Sequence, residues 1–138
     1  MLYQFQIELS DITRGVYETL NFRTAQHQSE AVPYLLTRVL AYALNYEASL
    51  EFSPTGLGDP QAPALCSKDE NGTADVWIEI GNPSPKKLHK ASKASRLVKV
   101  YTYKNPKLLV DEINGDDVHR AREIEIYAFE TKFLQALE

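Results

Sequence analysis

At 138 residues, with 43% apolar and 25% charged residues, the chain has the size of one domain and enough apolar surface for a real core. It contains no run of about 18 apolar residues that could span a membrane, and Met1–Glu8 lacks the basic and apolar regions of a signal peptide. The lone cysteine, Cys66, cannot form an internal disulfide or a multi-cysteine zinc site, and these features together predict a cytoplasmic protein.

The net charge of −4 is unevenly spread. Residues 1–79 carry 11 acids against 4 Lys/Arg, and residues 111–138 carry 8 against 3. Between them, residues 80–110 hold no acid and 8 Lys/Arg: Lys86, Lys87, Lys90, Lys93, Arg96, Lys99, Lys104 and Lys107. Such a block produces a local positive field whatever the total charge, and so points to nucleic acid or another polyanion as partner. The overall acidity argues against indiscriminate nucleic-acid binding.

In chain order, Tyr3, Phe5, Ile7 and Leu9 alternate with Gln4, Gln6 and Glu8, the pattern of a half-buried strand. A polar turn over Ser10–Gly15 and a returning strand over Val16–Thr24 predict a β-hairpin. Ser29 is placed to cap a helix over 30–47, with Glu30 in its first turn and Leu36, Val39, Leu40, Ala43 and Leu44 as its apolar stripe. Short strands are predicted over 50–53 and 64–67, separated by a loop rich in Gly and Pro. Ala74–Ile80 is the clearest strand, with Ala74, Val76, Ile78 and Ile80 on one face and Asp75, Trp77 and Glu79 on the other. A helix over 84–96 follows, then a strand over 97–103, a short helix from Asn105-Pro106 to Gly115, and a last strand over 123–130. This order predicts a single mixed α/β domain over residues 1–138, with a mixed sheet flanked by helices.

The acids on Ala74–Ile80 carry the most chemical information. Asp75 and Glu79 share a face, yet four residues along a strand span about 13 Å, so one ion needs acids from other segments as well. Asp59 in the loop and Glu30 at the helix start are the candidates. Magnesium takes one or two carboxylates and keeps several waters, which suits it to polarising a phosphate. Trp77, between the two acids, is expected to cover the core. His27, His89 and His119 lack the mutual spacing and the cysteine partners of a zinc site.

Several segments in order carry a family resemblance: Ala25–Glu30, Arg38–Leu44, Leu50-Glu51-Phe52 with Gly56-Leu57, Asp59–Leu65, Trp77–Gly81 with Pro83, Lys90-Ala91-Ser92 and Val100–Tyr103. Together they resemble the YaeQ family, whose fold is a variation on the restriction-endonuclease-like PD-(D/E)XK core. The resemblance implies a helix acid at Glu30, a loop aspartate at Asp59 and a strand acid at Asp75 or Glu79. It places Mg²⁺ among Asp59, Asp75 and Glu79. The lysine expected two residues beyond the strand acid is missing, since Trp77 and Gly81 stand there. Lys90 on the following helix is the first replacement and Lys87 the second. The chain is also shorter than is usual in this family, as though part of a C-terminal region were missing.

Two functions compete on these grounds. One is a Mg²⁺-dependent phosphodiesterase acting on nucleic acid, with Glu30, Asp59, Asp75, Glu79 and Lys90 as catalytic residues. The other is a non-catalytic module that binds nucleic acid or a protein through Lys86, Lys87, Lys90, Lys93 and Arg96.

Overall fold

The computed structural model describes residues 2–28, 30–53 and 61–138; Ser29 and Asp59, both singled out above, lie outside the described residues. Strands β1 (Leu2–Asp11) and β2 (Val16–Ala25) pair antiparallel along their whole length, with Leu2 opposite Ala25 and Asp11 opposite Val16. The Asp11 carboxylate fixes the turn by accepting from the backbone N–H and the Nε of Arg14, at 3.1 and 2.7 Å. Gly15 supplies the positive φ (68°) that lets the chain return. The hairpin packs through its aromatic face: Phe5 stacks on Phe22, and Phe22 in turn meets Tyr42 and Phe52.

Helix α1 (Val32–Leu44) is shorter than the predicted span at both ends. At its start, Glu30 is drawn into a buried ion pair with Arg38, so the helix opens at Ala31 with no side-chain cap. At its end, the Asn45 side chain donates to Ala41 O, competing with further helical turns. Arg14 Nη1 donates to Tyr46 O and Lys99 Nζ to Asn45 Oδ1, so two cations stand where the helix dipole favours them.

The remaining strands form one sheet in the order β3 (Glu51–Phe52), β4 (Leu65–Lys68), β5 (Ala74–Ile80), β6 (Ser95–Thr102), β7 (Glu125–Ala128). β3–β4 and β4–β5 are antiparallel, whereas β5–β6 and β6–β7 are parallel. Helices α2 (Pro85–Ala94) and α3 (Pro106–Gly115) make the crossovers that parallel pairing requires. Ser84 caps α2 by accepting from Lys87 N at 3.2 Å, as the Ser-Pro start suggests. α2 runs straight into β6 at Ser95, two residues before the predicted strand. The Ser95 hydroxyl closes the junction by donating to Ala91 O. A 3-10 turn at Ala121–Glu123 takes the start of the predicted last strand, and a short α4 (Thr131–Leu137) follows β7.

Alternation along the strands sends side chains into two cores. Leu65, Ile78, Ile80 and Tyr101 pack with Ala41 and Leu50 on the α1 side. Val98 and Val100 pack with Leu88, Ala91, Leu109, Ile113 and Val118 on the other, and Trp77 covers this second core. The result is a mixed sheet with helices on both faces and a separate N-terminal hairpin. No helix among the described residues is long and apolar enough to cross a membrane.

Leu65 and Leu88 are fully buried on opposite faces of the sheet. Leu65→Ala and Leu88→Ala should each lower the free energy of urea unfolding by about 2–5 kcal/mol. A loss near zero at either position would show that its layer does not form the packed core described.

Candidate functional site

Glu79 is the penultimate residue of β5, and with 3% of its surface exposed it is a buried acid on the α2 side of the sheet. Gly81 (φ 86°) lets the chain leave the strand sharply, and the first turn of α2 returns Lys87 over the strand end. Lys87 Nζ lies 3.0 Å from Glu79 Oε2, and Trp77 Nε1 donates to Glu79 Oε1 at 2.7 Å. Burial pushes the Glu79 carboxyl above the ordinary carboxylate range, while the Lys87 ammonium and then the Trp77 N–H pull it back. A buried acid perturbed by desolvation and by one specific cation is a candidate for a functional group, and structural ion pairs produce the same pattern.

Glu30 sits just before α1 and is equally enclosed. Its carboxylate accepts from Arg38 Nε at 3.0 Å, Arg38 Nη2 at 3.2 Å and His27 N at 3.0 Å. Arg38 spends its other donors on Thr24 Oγ1 and Ala25 O, and its guanidinium lies over the Phe52 ring. This forked pair ties the end of β2 to α1. Tyr34 lies beside Gly81. Its hydroxyl is pushed up to about 12, first by burial and then by the Glu79 and Glu30 carboxylates. Burial and then Glu30 also raise Tyr103. Glu79 itself stands at the carboxyl end of β5, where ligands of open α/β sheets usually bind. A cavity of about 30 Å³ lies between Glu30, Tyr34, Arg38 and Ser53.

The other sequence candidates lie elsewhere. Asp75 stands at the far end of β5 and pairs with Arg96 Nε at 2.5 Å. It and Glu79 are therefore not brought together. Lys90 Nζ donates to Gln61 Oε1 at 3.0 Å, so α2 reaches the segment that follows Pro60. Lys86 and Lys93 are exposed, Arg96 is held by Asp75, and Lys99 faces α1. Among the described residues no three His, Cys, Asp or Glu side chains converge as a metal site. Glu79 can offer one carboxylate to a cation; Glu30, forked by Arg38, has little to offer.

Arg38 is the residue that reading for chemistry passed over. It lies on the buried face of α1 with Leu35 and Val39, and an arginine on that face calls for a buried partner. The strand–helix pair Glu79–Lys87 was within reach of the sequence, but with Lys90 ranked first.

The architecture is that of an α/β protein with an acid–lysine pair at the carboxyl edge of its central parallel strands. The family model of the YaeQ protein matches residues 1–138, and the chain belongs to the YaeQ family. It is 26% identical over 102 residues to the uncharacterized protein YaeQ of Escherichia coli and 24% identical to that of Salmonella typhi. In both cases the match covers 74% of this chain but 56% of the relative's length, so the matched stretch spans little more than half of those curated relatives. Crystal structures of YaeQ proteins from Pseudomonas syringae and Xanthomonas axonopodis pv. citri superpose with a TM-score of 0.87 at 29% identity. Each covers 99% of this chain and, respectively, 75% and 77% of the solved chain.

Removing one partner of the Glu30–Arg38 pair strands the other in a closed site. Arg38→Met should cost about 3–5 kcal/mol in urea unfolding at neutral pH, and Glu30→Gln combined with Arg38→Met should recover much of it. A double variant as unstable as the single one would show that the pairing is not what Arg38 contributes.

Proposed function

We propose that this chain is a Mg²⁺-dependent phosphodiesterase acting on nucleic acid, on a restriction-endonuclease-like variant of its α/β fold. The observation that carries the reading is the Glu79–Lys87 pair, 3.0 Å apart at the carboxyl end of β5. It supplies a strand acid and a lysine from the following helix, the combination that the missing strand lysine calls for. Lys87 takes the role first given to Lys90, and Asp75 drops out because it lies at the other end of β5. Glu79 would hold the cation together with Asp59, whose loop precedes Gln61. A cation bound there would polarise the phosphate and lower the pKa of a coordinated water.

The side chains supply the rest. Lys87 has a flexible four-carbon stem, so it can exchange the Glu79 carboxylate for a phosphoryl oxygen when substrate arrives. That exchange frees Glu79, whose burial already disfavours an unpaired charge, and neutralises the phosphate. Glu30 and Arg38 hold α1 against the end of the hairpin.

The test is cleavage of single-stranded DNA, duplex DNA and RNA oligonucleotides with millimolar Mg²⁺ or Mn²⁺. Metal-stimulated cleavage of at least one is expected, falling on the order of 100-fold or more in Glu79→Gln and in Lys87→Met. Asp75→Asn and Lys90→Met should lose far less. No cleavage of any substrate, or full activity in Glu79→Gln, would overturn the proposal.

A second reading, a non-catalytic nucleic-acid-binding module, is favoured by the exposure of Lys86, Lys90 and Lys93 on α2. Under it, charge reversal at these three lysines weakens binding and flattens its dependence on salt. Glu79→Gln would then leave binding unchanged, and no cleavage would occur.

A further inference from the structure

Helix α2 carries Lys87, yet it is only 10 residues long, and at its C-terminus Arg120 of the distant connection to β7 grips it from outside. Among the described residues Arg120 alone, apart from glycines, has a positive φ, at 52° with ψ 40°. Arginine adopts this left-handed conformation uncommonly, and surrounding contacts must hold it there. Those contacts are in place. Arg120 Nη2 donates to Ser92 O and Ser95 O at 2.5 and 2.6 Å, and Nη1 to Arg96 O at 3.0 Å. These carbonyls lie at the helix end and its junction with β6, where intrahelical donors run out.

The two preceding residues hold the same helix. The His119 backbone N–H donates to His89 Nδ1 at 2.9 Å, two residues beyond Lys87. Val118 is buried in the core that contains Leu88 and Ala91. Three consecutive residues therefore fix α2 through apolar packing, a hydrogen bond to its middle and a forked cap on its end. Near its start, the only charged link from α2 to the sheet among the described residues is Lys87–Glu79.

We propose that Arg120 is a positioning residue: by capping α2 from the 118–120 segment it sets the register in which Lys87 meets Glu79. This rests on reading Glu79–Lys87 as the working pair. Arg120 does not touch Glu79; its own ion pair, Nε to Glu123 Oε2 at 3.7 Å, stays within its segment, and it acts through the placement of the helix. Its left-handed backbone aims the guanidinium back at the helix end, which explains why an arginine stands at a position that would suit glycine better.

The test is a double-mutant cycle in the intact protein, read by urea unfolding at neutral pH. Lys87→Met leaves the buried Glu79 carboxylate without its cation, so it should lower the urea midpoint of the otherwise unaltered chain. Arg120→Gly keeps the backbone conformation and removes the cap. In that background Lys87→Met should lower the midpoint less, because the pair is already displaced, and in Arg120→Lys its effect should be intermediate. A purely structural Arg120 would lower stability by itself, and the two losses would simply add. Equal effects of Lys87→Met with and without Arg120, with the glycine variant folded by circular dichroism, would overturn the positioning role only. No effect of Lys87→Met in the unaltered chain would instead sink the pair on which it rests.

Discussion

A carboxylate buried on the central sheet is the constraint around which this molecule is arranged. β5 is covered on both faces, so Glu79 near its end is almost closed off from water, and an isolated charge there would be costly. The protein answers with one cation and one neutral donor: Lys87 from the first turn of α2 and the indole of Trp77 two residues earlier on the same face. Meeting that need places α2. The chain must turn at Gly81, start a helix at Ser84–Pro85 and point its third helical residue back at the strand. On the other side of the sheet a second enclosed acid, Glu30, is answered by Arg38, and Tyr34 lines the same small cavity.

The strands were legible because alternation is a local property. Tyr3, Phe5, Ile7 and Leu9 announced the hairpin, and Val76, Ile78 and Ile80 announced the central strand, each from a few adjacent residues. The caps of α2 and α3 were legible for the same reason, since Ser84-Pro85 and Asn105-Pro106 act within one turn. The ends of α1 were less so, because the local stop at Asn45 is joined by longer-range ties: Glu30 is taken by a residue two turns away, and Arg14 and Lys99 from other elements hold the C-terminal end. α4 escaped notice because it is 7 residues long and buries little beyond Leu134.

The site was legible in part for similar reasons. Glu79 could be picked out as a strand acid facing away from the apolar side, and the missing strand lysine directed attention to α2. Choosing between Lys87 and Lys90 required the angle at which the helix meets the strand, which the turn at Gly81 sets and the residue order does not display. The basic stretch is also less uniform than its composition suggests. Lys87 and Arg96 are spent on Glu79 and Asp75, and Lys99 turns to α1. What stays exposed on α2 is Lys86, Lys90 and Lys93, a narrower positive strip beside the acid–lysine pair.

The central claim is that Glu79, partnered by Lys87, is the working acid of a cation-dependent centre. A crystal structure of the protein soaked in Mn²⁺ and read by anomalous scattering tests it most directly. The account predicts an ion on the Glu79 carboxylate at about 2.0–2.2 Å, typical of a small divalent cation, with Asp59 as a further ligand and Lys87 displaced from Glu79. Manganese bound elsewhere, with the Glu79–Lys87 contact intact under saturating metal, would contradict it.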